Sequence, residues 1–282
     1  MAFDTAISVC DHGWHKQKED FVIHEKDGGF YGVGDAFSEP HSRVRPIRLY
    51  GGKTGGEMIA TTAMEVFKEA NPNVSIESYV SILNRLVGDN ILDQGIPLAN
   101  AGLIPGTCLA LAKVEGKFLH FLQFGDCLIF WRFLSGKIGY TQNPVYEYQK
   151  KTMEIRQKIL SQNGNNEKEM WVEFAPILSD LRRLYTNNDD SEDNYYILNG
   201  QNTLEQHWNR SSLLVQDLKL VILCSDGYFH WEESSPEKLP GLAAKMLSDY
   251  QDQRTTLLKI LNKKRMGEEY PNEASALVLK FA

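Results

Sequence analysis

"TCLALAKVEGKFLHFLQFGDCLIFWRF" (residues 107–133) sets three apolar runs back to back, interrupted only at Glu115-Gly116-Lys117 and at Gly125-Asp126. Each run is short and rich in aromatic or β-branched residues, as strands are, and each break carries turn chemistry. The reading is three strands, and the turns at 115–117 and Ser135-Gly136-Lys137 suit hairpins, so much of the sheet should be antiparallel. Working outward, "FVIHEK" (21–26), "FYGVGDAF" (30–37), "KLVILCSD" (219–226) and "ASALVLKF" (274–281) read as further strands. Two amphipathic helices lie between the first strands and this block. "GEMIATTAMEVFKEA" (56–70) repeats Ile59, Ala63, Val66, Phe67 and Ala70 on one face, and "SIESYVSILNRLV" (75–87) repeats Ile76, Tyr79, Val80, Leu83, Leu86 and Val87. The stretch 145–185 is helical in character, and the acidic "TNNDDSEDNYY" after it reads as a solvated loop. Strands, then helices, strands, helices and strands again imply two sheets covered by helices, an α+β layered sandwich.

At 282 residues and 42% hydrophobic content, the chain can bury a substantial core as one domain spanning 1–282. Acidic residues outnumber basic ones 37 to 30, for a net charge of −7, which argues against nucleic acid or an anionic membrane as partner. The first residues lack a basic region followed by an apolar run, and no stretch of 18 residues is uninterruptedly apolar, so a cytoplasmic protein is expected. Cys10, Cys108, Cys127 and Cys224 are scattered through apolar stretches without zinc-type spacing and read as buried small hydrophobes.

The anomaly lies at the strand ends. "LVILCSDGYFHW" (220–231) drives an apolar strand straight into Asp226; "YGVGDAF" ends on Asp35, "LQFGDCLIF" turns on Asp126, and Glu19 and Asp20 precede a strand. An unpaired buried carboxylate costs on the order of several kcal/mol, so something positive is expected beside them. Taken singly, each is more often a turn former or helix cap. As a set they suit hard divalent cations, which take oxygen ligands and need only a few carboxylates when they keep waters.

Six segments in order resemble the metal-dependent Ser/Thr protein phosphatases of the type 2C (PPM) family, over residues 7 to 281. "GWHKQKED" is similar to the family's Gly-Trp-Arg-x-x-x-Glu-Asp, "YGVGDAF" to its Val-x-Asp-Gly, and "GGKTGGEMIA" to the Gly-rich lead into its first long helix. "PGTCLALAKVEGKFLHFLQFGDCLIFW" resembles its Gly-Ser/Thr-Thr hairpin followed by Gly-Asp-Ser, "LVILCSDGYFHW" its Leu-x-Ser-Asp-Gly-x-x-Asp, and "PNEASALVLKF" its closing Asp-Asn/Asp-x-Thr-x-x-x-Val strand. The resemblance implies a four-layer αββα sandwich, two mainly antiparallel sheets flanked by helix pairs, with a helical flap at 145–195. It also implies two Mg²⁺ or Mn²⁺ ions and in-line attack of a metal-bridged water on phosphoserine or phosphothreonine, the partner being a phosphorylated protein and the enzyme a monomer. Carried over by position, Asp35 bridges both metals, the carbonyl of Ala36 is a further ligand, and Asp20 and Asp226 hold one metal each, directly or through water. Glu19 assists through water, and Asp126 favours a third, weaker metal.

The departures bear on catalysis. His15 stands where the family has a phosphate-binding Arg, so the phosphate grip is weaker or pH-dependent. Ala36 replaces a Gly, and Phe37 stands where some members carry a His able to protonate the leaving group. The closing metal-binding Asp is matched by Asn272, which offers an oxygen without the charge, and a one-residue shift would let Glu273 serve instead. The alternative reading is therefore a catalytically weakened pseudophosphatase acting as a phosphoprotein-binding or regulatory module. "GGKT" (51–54) echoes a nucleotide-binding loop but lacks the required Gly and the leading strand.

Overall fold

The computed structural model describes residues 3–11 by their backbone, and residues 18–25, 29–44, 48–202, 207, 209–248 and 274–281. The block at 107–133 forms β4 (Gly106–Glu115), β5 (Phe118–Phe124) and β6 (Leu128–Phe133), but the three strands divide between two sheets. β4 pairs with β5, and at Gly125-Asp126 the chain crosses over so that β6 joins the opposite sheet. Gly125 has φ +64°, and a Cβ there would lie 2.1 Å from Cys108 Sγ, so the crossing closes only around glycine.

The first sheet has the order β2 (Asp20–Glu25), β3 (Phe30–Phe37), β4, β5, β8 (Asn209–Leu214). The second runs β1 (Phe3–Asp11), β10 (Ala274–Phe281), β9 (Leu218–Cys224), β6, β7 (Ile138–Tyr140). Every pairing of these strands is antiparallel. The period of two sends Tyr31, Val33, Ala110 and Phe121 inward to meet Ile129, Val221, Leu223 and Leu277 in a dry inter-sheet core. The outer face of the first sheet carries α1 (Gly55–Lys68) and α2 (Ile76–Leu92), which bury Ile59, Ala63, Phe67, Val80, Leu83 and Val87 against it. α5 (Leu239–Ser248) covers the second sheet and is the helix of that layer among the described residues. α3 (Tyr146–Gln162) and α4 (Glu167–Tyr185) form the helical insertion.

Several expectations change in detail. α2 runs to Leu92, Leu86 is exposed, and Asn84 and Ile91 take buried places instead. β1 and β8 were not anticipated; β8, "NRSSLL", is an exposed edge strand without apolar alternation. The acidic loop is solvated at Asp190 and Glu192, but its ends are not: Thr186, Asn187 and Tyr195 are buried. Asn187 makes that burial tolerable, since its side chain accepts from the Ile197 amide and donates to the Ile197 carbonyl and Asn199. The "GGKT" stretch is a turn followed by a helix cap, with Thr54 Oγ1 accepting from the Glu57 amide and Glu57 returning the bond to the Thr54 amide. Cys108, Cys127 and Cys224 are buried, as expected, while the side chain of Cys10 lies outside the described residues. Among the described residues no helix is long and apolar enough to cross a membrane.

Adding a side chain at the crossing tests how tightly it is built. Gly125→Ala should cost about 3 kcal/mol, combining a left-handed backbone with overlap on Cys108, read as a lowered urea midpoint at unchanged slope.

Candidate active site

Four acids from separate segments converge at one end of the sandwich. Asp20 and Asp35 are direct partners across β2 and β3, so both project to the same side of the first sheet. Asp126 comes from the crossing between the sheets, and Asp226 opens a short 3₁₀ turn (Asp226–Tyr228) at the end of β9. Asp20 and Asp126 are buried, whereas Asp35 and Asp226 keep partial access to solvent, which gives the cluster a mouth.

Their proximity is written in their titration. Burial first, then the charges of Asp20, Asp226 and Asp126, push Asp35 well above the usual carboxylate range, and a hydrogen bond with Asp226 adds to the shift. Burial and the charge of Asp226 push Asp126 up to about 7, opposed by the Cys108 thiol beside it. Among the described residues no cation acts on either acid. The buried Oδ1 of Asp126 has no hydrogen-bond partner among the described residues.

The scaffold fixes these acids through residues whose roles the sequence did not reveal. Ser225, fully buried, donates from Oγ to Asp20 Oδ2 at 3.0 Å and accepts from the Ser275 amide at 2.9 Å, linking β2 of one sheet to β9 and β10 of the other. Gln149 of α3 donates from Nε2 to Asp126 Oδ2 at 2.5 Å, so the insertion touches the cluster directly. Glu19 faces the α1 amino terminus, where Oε1 accepts from the Ser38 and Thr54 hydroxyls, each at 2.9 Å. A Cβ on Gly56 would come within 2.5 Å of that carboxyl group, which explains the Gly-rich lead into α1. Ala36 is buried in β3 and has no positive φ, so the absent glycine costs the strand nothing. Arg182 of α4 has no sequence signal for its place: its guanidinium lies 4.4 Å from the Phe37 ring centre and donates to the Ser38 carbonyl at 3.2 Å.

His15, Asn272 and Glu273 lie outside the described residues. His230 is exposed, with Nδ1 3.9 Å from Glu232.

Comparison with solved structures gives this arrangement its context. PppA from Pseudomonas aeruginosa, described as a key regulatory component of T6SS, is similar over 100% of this chain and 99% of its own, at TM-score 0.59 and 15% identity. The catalytic domain of the serine threonine phosphatase PstP, solved in complex with two manganese ions, is similar over 98% and 97%, at TM-score 0.58 and 14% identity. Serine/threonine phosphatase Stp1 from Staphylococcus aureus is similar over 100% and 96%, at TM-score 0.53 and 11% identity. This chain has the fold of the type 2C (PPM) Ser/Thr protein phosphatases. No family profile matches the sequence, and no curated protein matches it.

A type 2C fold with this donor set fits hard divalent cations. The acids are oxygen donors only, and among the described residues no basic group acting on Asp35 or Asp126 relieves their mutual repulsion and Oδ1 of Asp126 has no partner. Among the described residues no group of three or more His, Cys, Asp or Glu side chains is placed so that it could by itself hold a metal ion. That is compatible with cations that retain several waters and draw on few protein ligands.

The raised acids make the metal-free fold sensitive to pH. Folding favours the neutral form of Asp126, so its contribution is complete below the ordinary carboxylate range and is lost as pH rises through about 7. Asp126→Asn, neutral at every pH and still able to accept from Gln149, should match wild type in chelator at about pH 4 and below. By about pH 8 it should exceed wild type in Tm by about 3 °C or more, as read by thermal unfolding across that range.

Proposed function

We propose that this chain is a divalent-metal-dependent phosphatase acting on phosphoserine and phosphothreonine in proteins. The observation that carries the reading is the convergence of Asp20, Asp35, Asp126 and Asp226, from both sheets, with Asp35 raised by all three of the others. The full-length likeness to PstP, whose catalytic domain was solved with two manganese ions, supports the same reading.

Asp20, Asp35 and Asp226 are the residues we assign to two Mg²⁺ or Mn²⁺ ions, together with the Ala36 carbonyl, and with Asn272 or Glu273 completing the set; Asp126 would favour a third ion. Bound there, the cations would lower the pKa of water and offset charge on a phosphoryl group under attack. Ser225 holds Asp20 through its Oδ2. Gln149 occupies one oxygen of Asp126 and leaves Oδ1 for a ligand. Glu19, engaged by Ser38 and Thr54, fixes the segment between β3 and α1 and would assist through water. Phe37 cannot donate a proton, so departure of the serine or threonine alkoxide would draw its proton from solvent at the mouth. His15 would contact the phosphate with one imidazole donor where relatives use a guanidinium fork.

Hydrolysis of p-nitrophenyl phosphate with added Mn²⁺ is the direct test. Wild type should turn over only with metal, and Asp35→Asn or Asp226→Asn should lower kcat/KM by about a hundredfold or more, equivalent to about 3 kcal/mol of transition-state stabilisation. Metal-independent or absent turnover in wild type, or full activity in both variants, overturns the catalytic reading in favour of a regulatory, phosphoprotein-binding one.

A further inference from the structure

The insertion and the 3₁₀ turn after β3 together carry a set of arginines that the proposed chemistry does not use. Arg182 lies over Phe37, and Phe37 stands two residues beyond Asp35 on the same face of β3, so this guanidinium sits one side-chain layer out from the acid cluster. Farther out, Trp171 is bracketed by two more: Arg43 at 5.4 Å and Arg156 at 5.7 Å from its ring. Arg43 ends the 3₁₀ turn Pro40–Arg43, which leaves the same strand that delivers Asp35.

Helix periodicity places these groups along one line. Trp171 and Arg182 are three turns apart on one face of α4, a rise of about 16 Å. On α3, Gln149, which binds Asp126, and Arg156 are two turns apart on one face, a rise of about 10 Å in the outward direction. Both helices therefore lead from the mouth of the cluster to the Arg43–Trp171–Arg156 stack.

The charge on this line is largely uncompensated. Among the described residues neither Arg43 nor Arg182 has a carboxylate within ion-pair distance, and Arg156 has only Glu167, at 4.0 Å. Asp180 is turned to Arg183, and Glu39, the nearest acid along the chain, is buried and acts on Tyr50. Arg43 itself is exposed. On a chain of net charge −7, such a row stands out as a line of guanidinium groups without close acidic partners.

We infer that this row is the docking track for an acidic segment of the substrate, selecting phosphoproteins with Asp, Glu or a second phosphate about five residues to one side of the phosphorylated residue. An extended peptide covers about 3.3 Å per residue, so five residues span the interval from Arg182 to the Trp171 stack. The guanidinium groups offer planar forks that match carboxylate and phosphate, and stacking on Trp171 pre-orders two of them. This inference rests on the phosphatase reading for the position of the phosphorylated residue.

The test compares phosphoserine peptides that differ only in carrying three Glu or three Gln at four to six residues from the phosphoserine, on its amino or carboxyl side. With Mn²⁺ at low salt, one of the two Glu peptides should be hydrolysed with about fivefold higher kcat/KM than its Gln counterpart. That ratio should fall below about twofold in Arg43→Gln and at about 0.5 M salt, and take an intermediate value in Arg43→Lys, which keeps the charge but not the stacked planar fork. Because the ratio is taken within each protein, changes at the catalytic centre cancel. Equal rates for Glu and Gln peptides, or a preference that persists in Arg43→Gln, overturns the track. If no peptide is hydrolysed, the catalytic reading has failed, and the same ratio read as Kd by fluorescence anisotropy of the labelled peptides decides the track on its own.

Discussion

Carboxylates repel one another, and this molecule spends part of its folding energy holding four of them together. Asp20 and Asp35 are fixed side by side by strand register, Asp126 by a crossing that only glycine can make, and Asp226 by the end of a strand that is apolar except for Lys219. None of these positions can relax without disturbing the inter-sheet core, in which Val33, Ala110, Ile129, Val221, Leu223 and Leu277 are essentially inaccessible to water. Close packing of this kind is what allows an unfavourable polar arrangement to persist. The cluster is thus a property of the whole sandwich rather than of any loop.

The parts legible in the sequence were those with local causes. Alternation and turn residues marked β4 to β6, and 3.6-residue spacing marked α1 and α2, because backbone period and burial coincide there. The acids were legible as an inconsistency, apolar strands running into charge. β8 was not, since an exposed edge strand reading "NRSSLL" has no buried face to print a pattern. The exposed Leu86 misled for the converse reason: a helix stripe predicts direction only to within a residue, and Asn84 took the buried place by bonding Gly200 and Gln201.

Contacts made at long range left no trace in the chain. Ser225 meets Asp20 across 205 residues, and Arg182 meets Ser38 across 144, so neither role follows from spacing. Ser225 could be read as part of a recognisable run without any hint that its hydroxyl holds a carboxylate. Solved structures with the same fold share only 11–15% of their residues with this chain over nearly its whole length. Sandwich topology survives such drift because it depends on where apolar residues fall, while the chemistry depends on a few acids and what surrounds them.

The division of the acids has a mechanical side. Two come from one sheet, one from the other, and one from the crossing between them, while the Ser225 hydroxyl spans the same gap by joining Asp20 to Ser275. Anything bound by the full set is therefore a clasp across two layers about 10 Å apart, closing a loop of chain much as a covalent cross-link would. When the layers separate, the clasp has no partial form to fall back on. Occupancy and docking of the sheets are therefore linked: whatever binds the full set favours the closed sandwich over the separated layers.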